Sequence, residues 1–414
     1  MAQTSAYASL SAFLLEKVIP KIQYVVPEET KLSRLLDLPK NKGTKIGDKY
    51  VLPILIQPAQ GATYGGSDAG AFAIETPVSP EAVEAYIKTT SWVQQLDIAQ
   101  DLIDRMQDGD TSVISSFALT IESLDTQAMF HQELSLLHGS RGIGTIKART
   151  NDSHTTQTFS VYLSAWAPII WQRMLGAQCD VYNGASKITA TTAMTLTSYS
   201  LSARTLTFTG TEADMDSIAA GYTIYPRGAY GKMMEGLALI AGSTTSTIHN
   251  LSQSTYPGWK SNTQSAGNAD ISPEVVFNGI TTLQNRGVGE NLTLFVDPIS
   301  ASKLKLQLAA KAGSKGSNLR YDVNTSTLGY DDQDIKIETH KYMWPGEAIM
   351  GDMSVLERIG KGVSFIDLGG GTKNYVMPLN GYHGAYSRAH WNQGLFCREP
   401  GRWLKITDIG SATA

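Results

Sequence analysis

The run from His131 through Glu133 to His138 comes nearest to a metal-binding helix. A zinc peptidase helix needs its two histidines four residues apart with a glutamate between them. Seven residues make two helical turns, so these rings share a face but lie about 10 Å apart along the axis. One metal ion does not bridge that gap, and the pair reads as partly exposed helix histidines. Asp331, Asp332 and Asp334 could gather calcium or magnesium, yet the glycine and distal glutamate of an EF-hand loop are missing. They read as a solvated acidic turn. Gly369, Gly370 and Gly371 would cradle phosphate only ahead of a helix or within GxxxxGK[ST], and neither is present, so a tight turn is expected. There is no GxSxG elbow. Cys179 and Cys397 lie far apart without CxxC or Cys/His spacing and read as two reduced thiols. His340, His383 and His390 stand beside Tyr and Trp residues and read as structural. The expectation is a chain that is not an enzyme, with no catalytic residue, no cofactor and no metal site.

The elements around these residues are more informative. With 414 residues the chain has room for two or three domains. A net charge of -4 argues against a strong nucleic-acid binder, though it allows a neutral wall enclosing nucleic acid. Only 17% of residues are charged, which suits surfaces that other subunits cover. No apolar run is long enough to span a membrane. Ala12 to Leu15 is too short for a secretory signal and Glu16 interrupts it. Read from Met1, the chain is expected to have lost no long pro-segment, and the expected setting is intracellular.

Residues 1–45 do not read as a compact domain. A helix is expected over Ser9–Val18, stopped by Pro20, with Pro27, Pro39 and the tract Lys40–Lys45 after it. Ile22, Val25, Val26, Leu35, Leu36 and Leu38 need cover from a neighbouring domain or subunit. Lys17, Lys21, Lys31, Arg34, Lys40, Lys42, Lys45 and Lys49 tilt this arm positive. Leucines and prolines interleaved with the lysines favour contact between subunits over contact with nucleic acid. A long hairpin follows, with an edge strand over Tyr50–Ile56 because of Pro53. Its glycine-rich tip runs from Pro58 to Gly70, and its return leg is expected over Ala71–Thr76. So long a loop is expected to project and act outside the domain. One further strand is expected over Ala82–Val93.

The clearest element is a helix over Ser112–His138, with a stripe of Val113, Phe117, Ile121, Leu124, Ala128, Leu134 and Leu137. Asp110 or Thr111 caps its start and Gly139 ends it. At about 40 Å it is long enough to serve as a strut. From Thr145 to Arg227 the texture is β-rich, with alternating runs at Ile188–Thr197, Thr205–Gly210 and Gly221–Pro226. Trp166 and Trp171 before them read as core. Later elements are a helix over Ser272–Arg286, a buried strand over Leu292–Val296 and a helix over Ile299–Lys311. Lys311–Thr327 reads as a mobile loop, and strands are expected over Ile335–Thr339, Ala348–Met350 and Val363–Ile366. Tyr386–Trp391 and Arg402–Ile406 are expected to form an antiparallel pair about Glu399, Pro400 and Gly401.

In this order the elements resemble the major capsid proteins of tailed phages, the fold of phage Hong Kong 97. The resemblance rests on the arm, the hairpin, the helix leading into Gly139-Ser140-Arg141-Gly142-Ile143, and the ending from Tyr386 through Gly394 to Pro400 and Arg402–Ile406. It implies an α+β chain divided into an N-terminal arm (1–45), an extended hairpin loop (46–80) and a peripheral domain with a spine helix (81–150). An inserted β-rich domain (151–235), an axial domain (236–375) and a return to the peripheral domain (376–414) complete it. The implied function is a non-catalytic subunit that self-assembles, as hexamers and pentamers, into an icosahedral shell around a viral genome. The setting would be the virion, assembled in the host cytoplasm. Scaffold, portal and decoration proteins would be further partners, and enclosed DNA would be touched weakly and without sequence preference. Gln60, Gly61, Tyr64, Gly65, Gly66, Leu35 and Leu36 are the candidate subunit contacts. The alternative is an encapsulin-like bacterial compartment shell, which is typically shorter and lacks the long arm and insertion. A β-rich tail or decoration protein fits the long helix less well, and an enzyme with an unrecognised site ranks lower.

Overall fold

The computed structural model describes residues 30–36, 38, 44–46, 49–65, 67, 70–107, 111–151, 155–189, 193–242, 247–288, 291–312, 321–322, 327–330, 333–365, 377–378 and 383–410. The expected helix Ser9–Val18, Gly66, Asp110, Asp331, Asp332, Gly369–Gly371, Lys17, Lys21, Lys40 and Lys42 lie outside them, as does most of the expected loop Lys311–Thr327. So do the side chains of Lys45, Lys49, Val113, Phe117, Ile121 and Asp334. The described chain is a mixture of helix and sheet.

Strands β1 (Thr44–Ile46), β2 (Lys49–Gln57) and β3 (Glu81–Ile87) form an antiparallel ribbon in that order. β1 reaches only as far as Val51, so Pro53, opposite Glu84, has an open flank where its missing N–H costs no ladder bond. The return leg is therefore β3 and not Ala71–Thr76, whose six residues are all exposed. β3 wins because it has something to bury: Ala85 and Ile87 close a cluster with Leu251, Trp259, Ile359 and Phe396. The single strand expected over Ala82–Val93 breaks at Lys88 and Thr89, and β4 (Thr90–Ala99) joins a different sheet.

The long helix spans Thr111–Leu137. Its far end shows no one-sided stripe, since Phe130 and every residue from Gln132 to His138 are buried. Gly139 ends it at φ +53°, where a Cβ would lie 2.3 Å from the backbone nitrogen of Gly236. Only glycine allows so close a crossing of two backbones. Strands β5 (Gly144–Asn151), β6 (Thr156–Val161), β7 (Gln178–Asn183), β8 (Ser186–Lys187), β9 (Met194–Ser200), β10 (Thr205–Thr209) and β11 (Thr223–Pro226) follow. The run expected over Ile188–Thr197 is strand only from Met194 onward, in β9, and Ile188 and Thr189 lie between β8 and β9. Their order is β11-β5-β6-β10-β9-β7-β8, and β11 also pairs with β7, so the sheet closes on itself. Closure leaves β8 as the one hanging edge and encloses Phe159, Phe208, Leu196 and Leu206. Trp166 and Trp171 are buried beside it, stacked at 6.2 Å.

After the small hairpin β12 (Thr247–Ile248) and β13 (Leu251–Ser252) the chain builds a second large sheet. It contains β14 (Asn262–Ser265), β15 (Leu292–Val296), β16 (Tyr321–Asp322), β17 (Thr327–Tyr330), β18 (Gln333–Thr339) and β19 (Ala348–Asp352). Helices Pro273–Gln284 and Pro298–Ala312 pack on it, the first capped by the Ser272 hydroxyl, which accepts from the Val275 N–H. Then come β20 (Leu356–Phe365), β21 (Met377–Pro378), β22 (Gly384–Cys397) and β23 (Trp403–Thr407). β22 and β23 do not pair with each other, contrary to expectation. β22 is already flanked by β4 on one side and by β20 and β21 on the other. The short turn Pro400–Arg402 instead delivers β23 between β14 and β19 in the second sheet. The long helix lies against β4, β20 and β22.

Candidate functional site

No helix among the described residues is long and apolar enough to cross a membrane, and no group of three or more His, Cys, Asp or Glu among them is placed to hold a metal ion. The features that stand out are one anchored segment, one buried charge cluster and one projecting ribbon.

The anchored segment is residues 30–36, the end of the arm. Its single helical turn, Leu32–Leu35, is too short to satisfy its own backbone. Glu133, fully buried on the long helix, accepts the backbone N–H groups of Lys31 at 2.9 Å, Leu32 at 2.7 Å and Ser33 at 3.0 Å. His340 Nε2 meets the same carboxylate at 2.8 Å. At the other end the Arg358 guanidinium donates to the carbonyls of Ser33 at 2.7 Å and Leu36 at 3.0 Å, and to Gln393 Oε1 at 2.8 Å. Lys31 Nζ adds an ion pair to Glu338 at 2.6 Å. Burial alone pushes the Glu133 carboxyl up, but the bond and charge from His340 and the two N–H groups of Leu32 and Ser33 outweigh it and hold it below the ordinary glutamate value. Leu32 and Leu36 are buried on the same core. Leu36, expected as a subunit contact, is thus covered within its own chain, while Leu35 is exposed.

The charge cluster sits where the long helix turns into the closed sheet. Arg141 donates from both terminal nitrogens to the two oxygens of Glu347, and Lys405 reaches the same carboxylate at 2.7 Å. The guanidinium lies 3.8 Å over the Trp344 ring. Burial opposes ionisation of Glu347, yet the two cations bring its carboxyl down to about 2. His138 is fully buried, against the expectation of a partly exposed ring. Its Nε2 donates to the Tyr342 carbonyl at 2.7 Å and its Nδ1 accepts from Arg141 at 3.1 Å, the pattern of a neutral imidazole. Burial and the neighbouring guanidinium lower its pKa to about 3. His131 is half-buried against Trp92 and Phe130. Cys179 and Cys397 are free and buried, and burial raises the Cys179 thiol to about 12.

The ribbon beyond β2 and β3 has a different texture. Gln60 and Val78 exchange backbone hydrogen bonds at 3.1 and 2.8 Å, and the Glu75 N–H donates to Thr63 Oγ1 at 2.9 Å. Gly65 lies under the Phe72 ring, where a Cβ would sit 2.5 Å from a ring carbon. The ribbon thus has internal order. Its apolar side chains nevertheless face outward: Tyr64 is 94% exposed and Ile74 82%, with Phe72 and Val78 also exposed, and Leu55 on the adjoining β2 is exposed as well. Of the expected contacts, Gln60 and Gly61 stand at the start of this stretch and Tyr64 and Gly65 further out, all on one segment; Leu35 is on the other side of the ribbon sheet in sequence and on the anchored turn in space.

Arg358, Glu347 and Lys405 were not singled out from the sequence, while Glu133 entered only within the His131–His138 run and Arg141 only within the turn after the long helix. A signal existed for Glu133: it sits with Gln132 and Ser135 among Phe130, Leu134, Leu136 and Leu137, in a helix end that leaves no polar face for it. A polar group with no wet face needs a buried partner. The partners lie 100 or more residues away along the chain and left no local trace.

No protein-family model matches the sequence, and no curated protein is similar to it in sequence. Solved structures are similar in fold. The capsid subunit of cyanophage A-1(L) superposes with a TM-score of 0.50 at 12% identity, over 93% of this chain and 94% of that one. A capsid of an empty GTA particle gives 0.44 at 8% identity, over 94% and 92%. Mycobacterium phage Patience gives 0.44 at 10%, over 97% and 88%. The fold assignment rests on the first. At 12% identity it is a likeness of architecture, extending over nearly the whole of both chains.

Proposed function

We propose that this chain is a major capsid protein of the tailed-phage type, a non-catalytic subunit that associates with copies of itself into an icosahedral shell around a genome. The observation that carries this reading is the projecting ribbon. It is ordered by its own hydrogen bonds, yet leaves Tyr64, Phe72, Ile74 and Val78 in water. Covering a residue such as Ile74 recovers about 1.5–3 kcal/mol, and a second copy of the chain supplies the cover many times over in a symmetric shell. The capsid fold of the cyanophage subunit supports the same reading.

In this reading residues 1–45 are the arm and 46–80 the extended loop; 81–150 carry the spine helix of a peripheral domain. Residues 151–235, which carry every strand of the closed sheet except β5, are an inserted domain, 236–375 the axial domain, and 376–414 the return. The subunit forms hexamers and pentamers, meets scaffold, portal and decoration proteins, and touches enclosed DNA weakly, in a virion assembled in the host cytoplasm. Gln60, Gly61, Tyr64, Gly65, Gly66 and Leu35 contact neighbours. Leu36 is withdrawn from that set, because its own chain covers it.

Electron microscopy of the purified protein, with nucleic-acid absorbance of any particles, tests the reading. Closed shells are expected, and shells recovered from infected cells should hold DNA. Shells filled with an enzyme would replace the viral reading with a bacterial compartment. Persistent monomers at high concentration would end both.

A further inference from the structure

Residues 227–235 run from the closed sheet to the root of the ribbon and are bonded at both ends. At the sheet end the Arg227 N–H donates to the Gln178 carbonyl at 3.1 Å, the Gly228 N–H donates to Asp180 Oδ2 at 2.8 Å, and Tyr230 stacks on Tyr182 at 4.0 Å. At the other end stand Lys88 and Thr90, in the break between β3 and β4 and at its far side. Lys88 Nζ donates to the Gly231 carbonyl, and the Thr90 hydroxyl donates to the Lys232 carbonyl at 3.4 Å while accepting from the Met234 N–H. Glu235 completes the path. Its carboxylate accepts the His249 N–H at 2.8 Å and has His249 Nδ1 at 2.8 Å, and the His249 carbonyl accepts from the Tyr86 N–H of β3 at 2.9 Å.

The root is where the direction of the ribbon is decided. β3 and β4 belong to different sheets, and Lys88 and Thr89 are the two residues that join them. A joint of two residues absorbs a change of angle readily unless something else holds it, which is how hinges work. Ala85 and Ile87 fix one face of β3 by packing, while the segment 227–235 grips the joint itself and, through His249, the backbone of β3. We infer that this segment is a strap by which the closed sheet sets the direction in which the ribbon leaves the subunit. Gly231 shapes its bend at φ +72°, and a Cβ there would meet nothing within 4 Å, so a side chain at this position costs backbone strain alone. The exposed apolar groups of the ribbon serve a partner best when presented at one angle, and the strap gives a region outside the ribbon control of that angle.

Unassembled subunits spin-labelled at Glu75→Cys on the ribbon and Ser302→Cys on the helix Pro298–Ala312 test it. Both positions are exposed, whereas Cys179 and Cys397 are buried. The distance between the labels should be narrowly distributed in the parent. Asp180→Ala, on β7 and outside the ribbon, removes the acceptor for Gly228. It should widen that distribution by about twofold and quicken exchange at the Tyr86 amide by about three- to thirtyfold. Asp180→Asn keeps an acceptor oxygen and should stay as narrow as the parent. Exchange protection at Phe159 reports whether the closed sheet is intact. If Asp180→Ala lowers it, Gly231→Ala decides in its place, with the same widening expected. An unchanged distance spread in the variant with an intact closed sheet would overturn the strap, whatever the exchange rate does. So would Asp180→Asn spreading as far as Asp180→Ala. No shell enters the measurement, so either outcome leaves the shell reading standing.

Discussion

Residues 30–36 and residues 58–80 both leave the packed body as short segments with apolar side chains, and they are treated in opposite ways. The first has its backbone donors met by Glu133, its carbonyls met by Arg358, and Leu32 and Leu36 buried. Among its described residues the second shows internal bonds at Gln60–Val78 and Glu75–Thr63 and leaves Tyr64 and Ile74 in water. Spending two buried charged side chains on one turn makes sense only if that turn must stay with its own subunit. Leaving large apolar groups exposed on an ordered ribbon makes sense only if something outside covers them. Composition alone did not separate the two segments, since both are short and carry exposed-looking leucine, isoleucine or tyrosine. What separates them is whether the body offers partners.

The sharpest way to break the comparison is Glu133→Ala. It strands three N–H groups and leaves His340 without its carboxylate, so the subunit should lose about 3–5 kcal/mol in urea unfolding. A loss below about 1 kcal/mol would mean the turn is not anchored as described. Arg358→Met keeps the apolar stem but frees the Ser33 and Leu36 carbonyls; about 2–3 kcal/mol is expected, with faster proteolysis near Arg34. Acid is a milder probe. The folded Glu133 and Glu347 carboxyls both lie below the ordinary value of 4.5, so their stabilisation is complete above that pH and drains away as pH falls through the folded values, about 2 for Glu347. Protection of the Leu32 amide, relative to free-peptide exchange at each pH, should therefore fall as the pH drops below 4.5, and protection that stays constant there would contradict the assignment. The smallest effect belongs to the ribbon. Deleting Gln60–Gly70 should change subunit stability by less than about 1 kcal/mol while closed particles disappear, as counted by microscopy. Normal particles from that deletion would erase the difference between the two segments.

Much of the architecture was legible because it is written in periodic or capping residues. The long helix, Ser272 before its helix, and the all-apolar strand Leu292–Val296 each carry a local signal. The hairpin was legible up to its return leg. Ala71–Thr76 and Glu81–Ile87 are similar in β-propensity, and the choice falls to the latter because Ala85 and Ile87 find Trp259 and Phe396. The terminal strands were each recognisable, but their partners were not. Adjacency in sequence suggested a hairpin, whereas β22 had both of its edges already occupied. The anchoring charges were the least readable part, because Glu133 and His340, or Arg141 and Glu347, are brought together only by the finished fold.

The placement of β22 and β23 has a consequence for synthesis on the ribosome. Each fills an interior position, β22 between β4 and β20 and β23 between β14 and β19. A nascent chain that has not yet emerged through residue 407 therefore has two sheets with gaps in their middles. Neither sheet therefore presents a finished surface until these late strands have been laid into it.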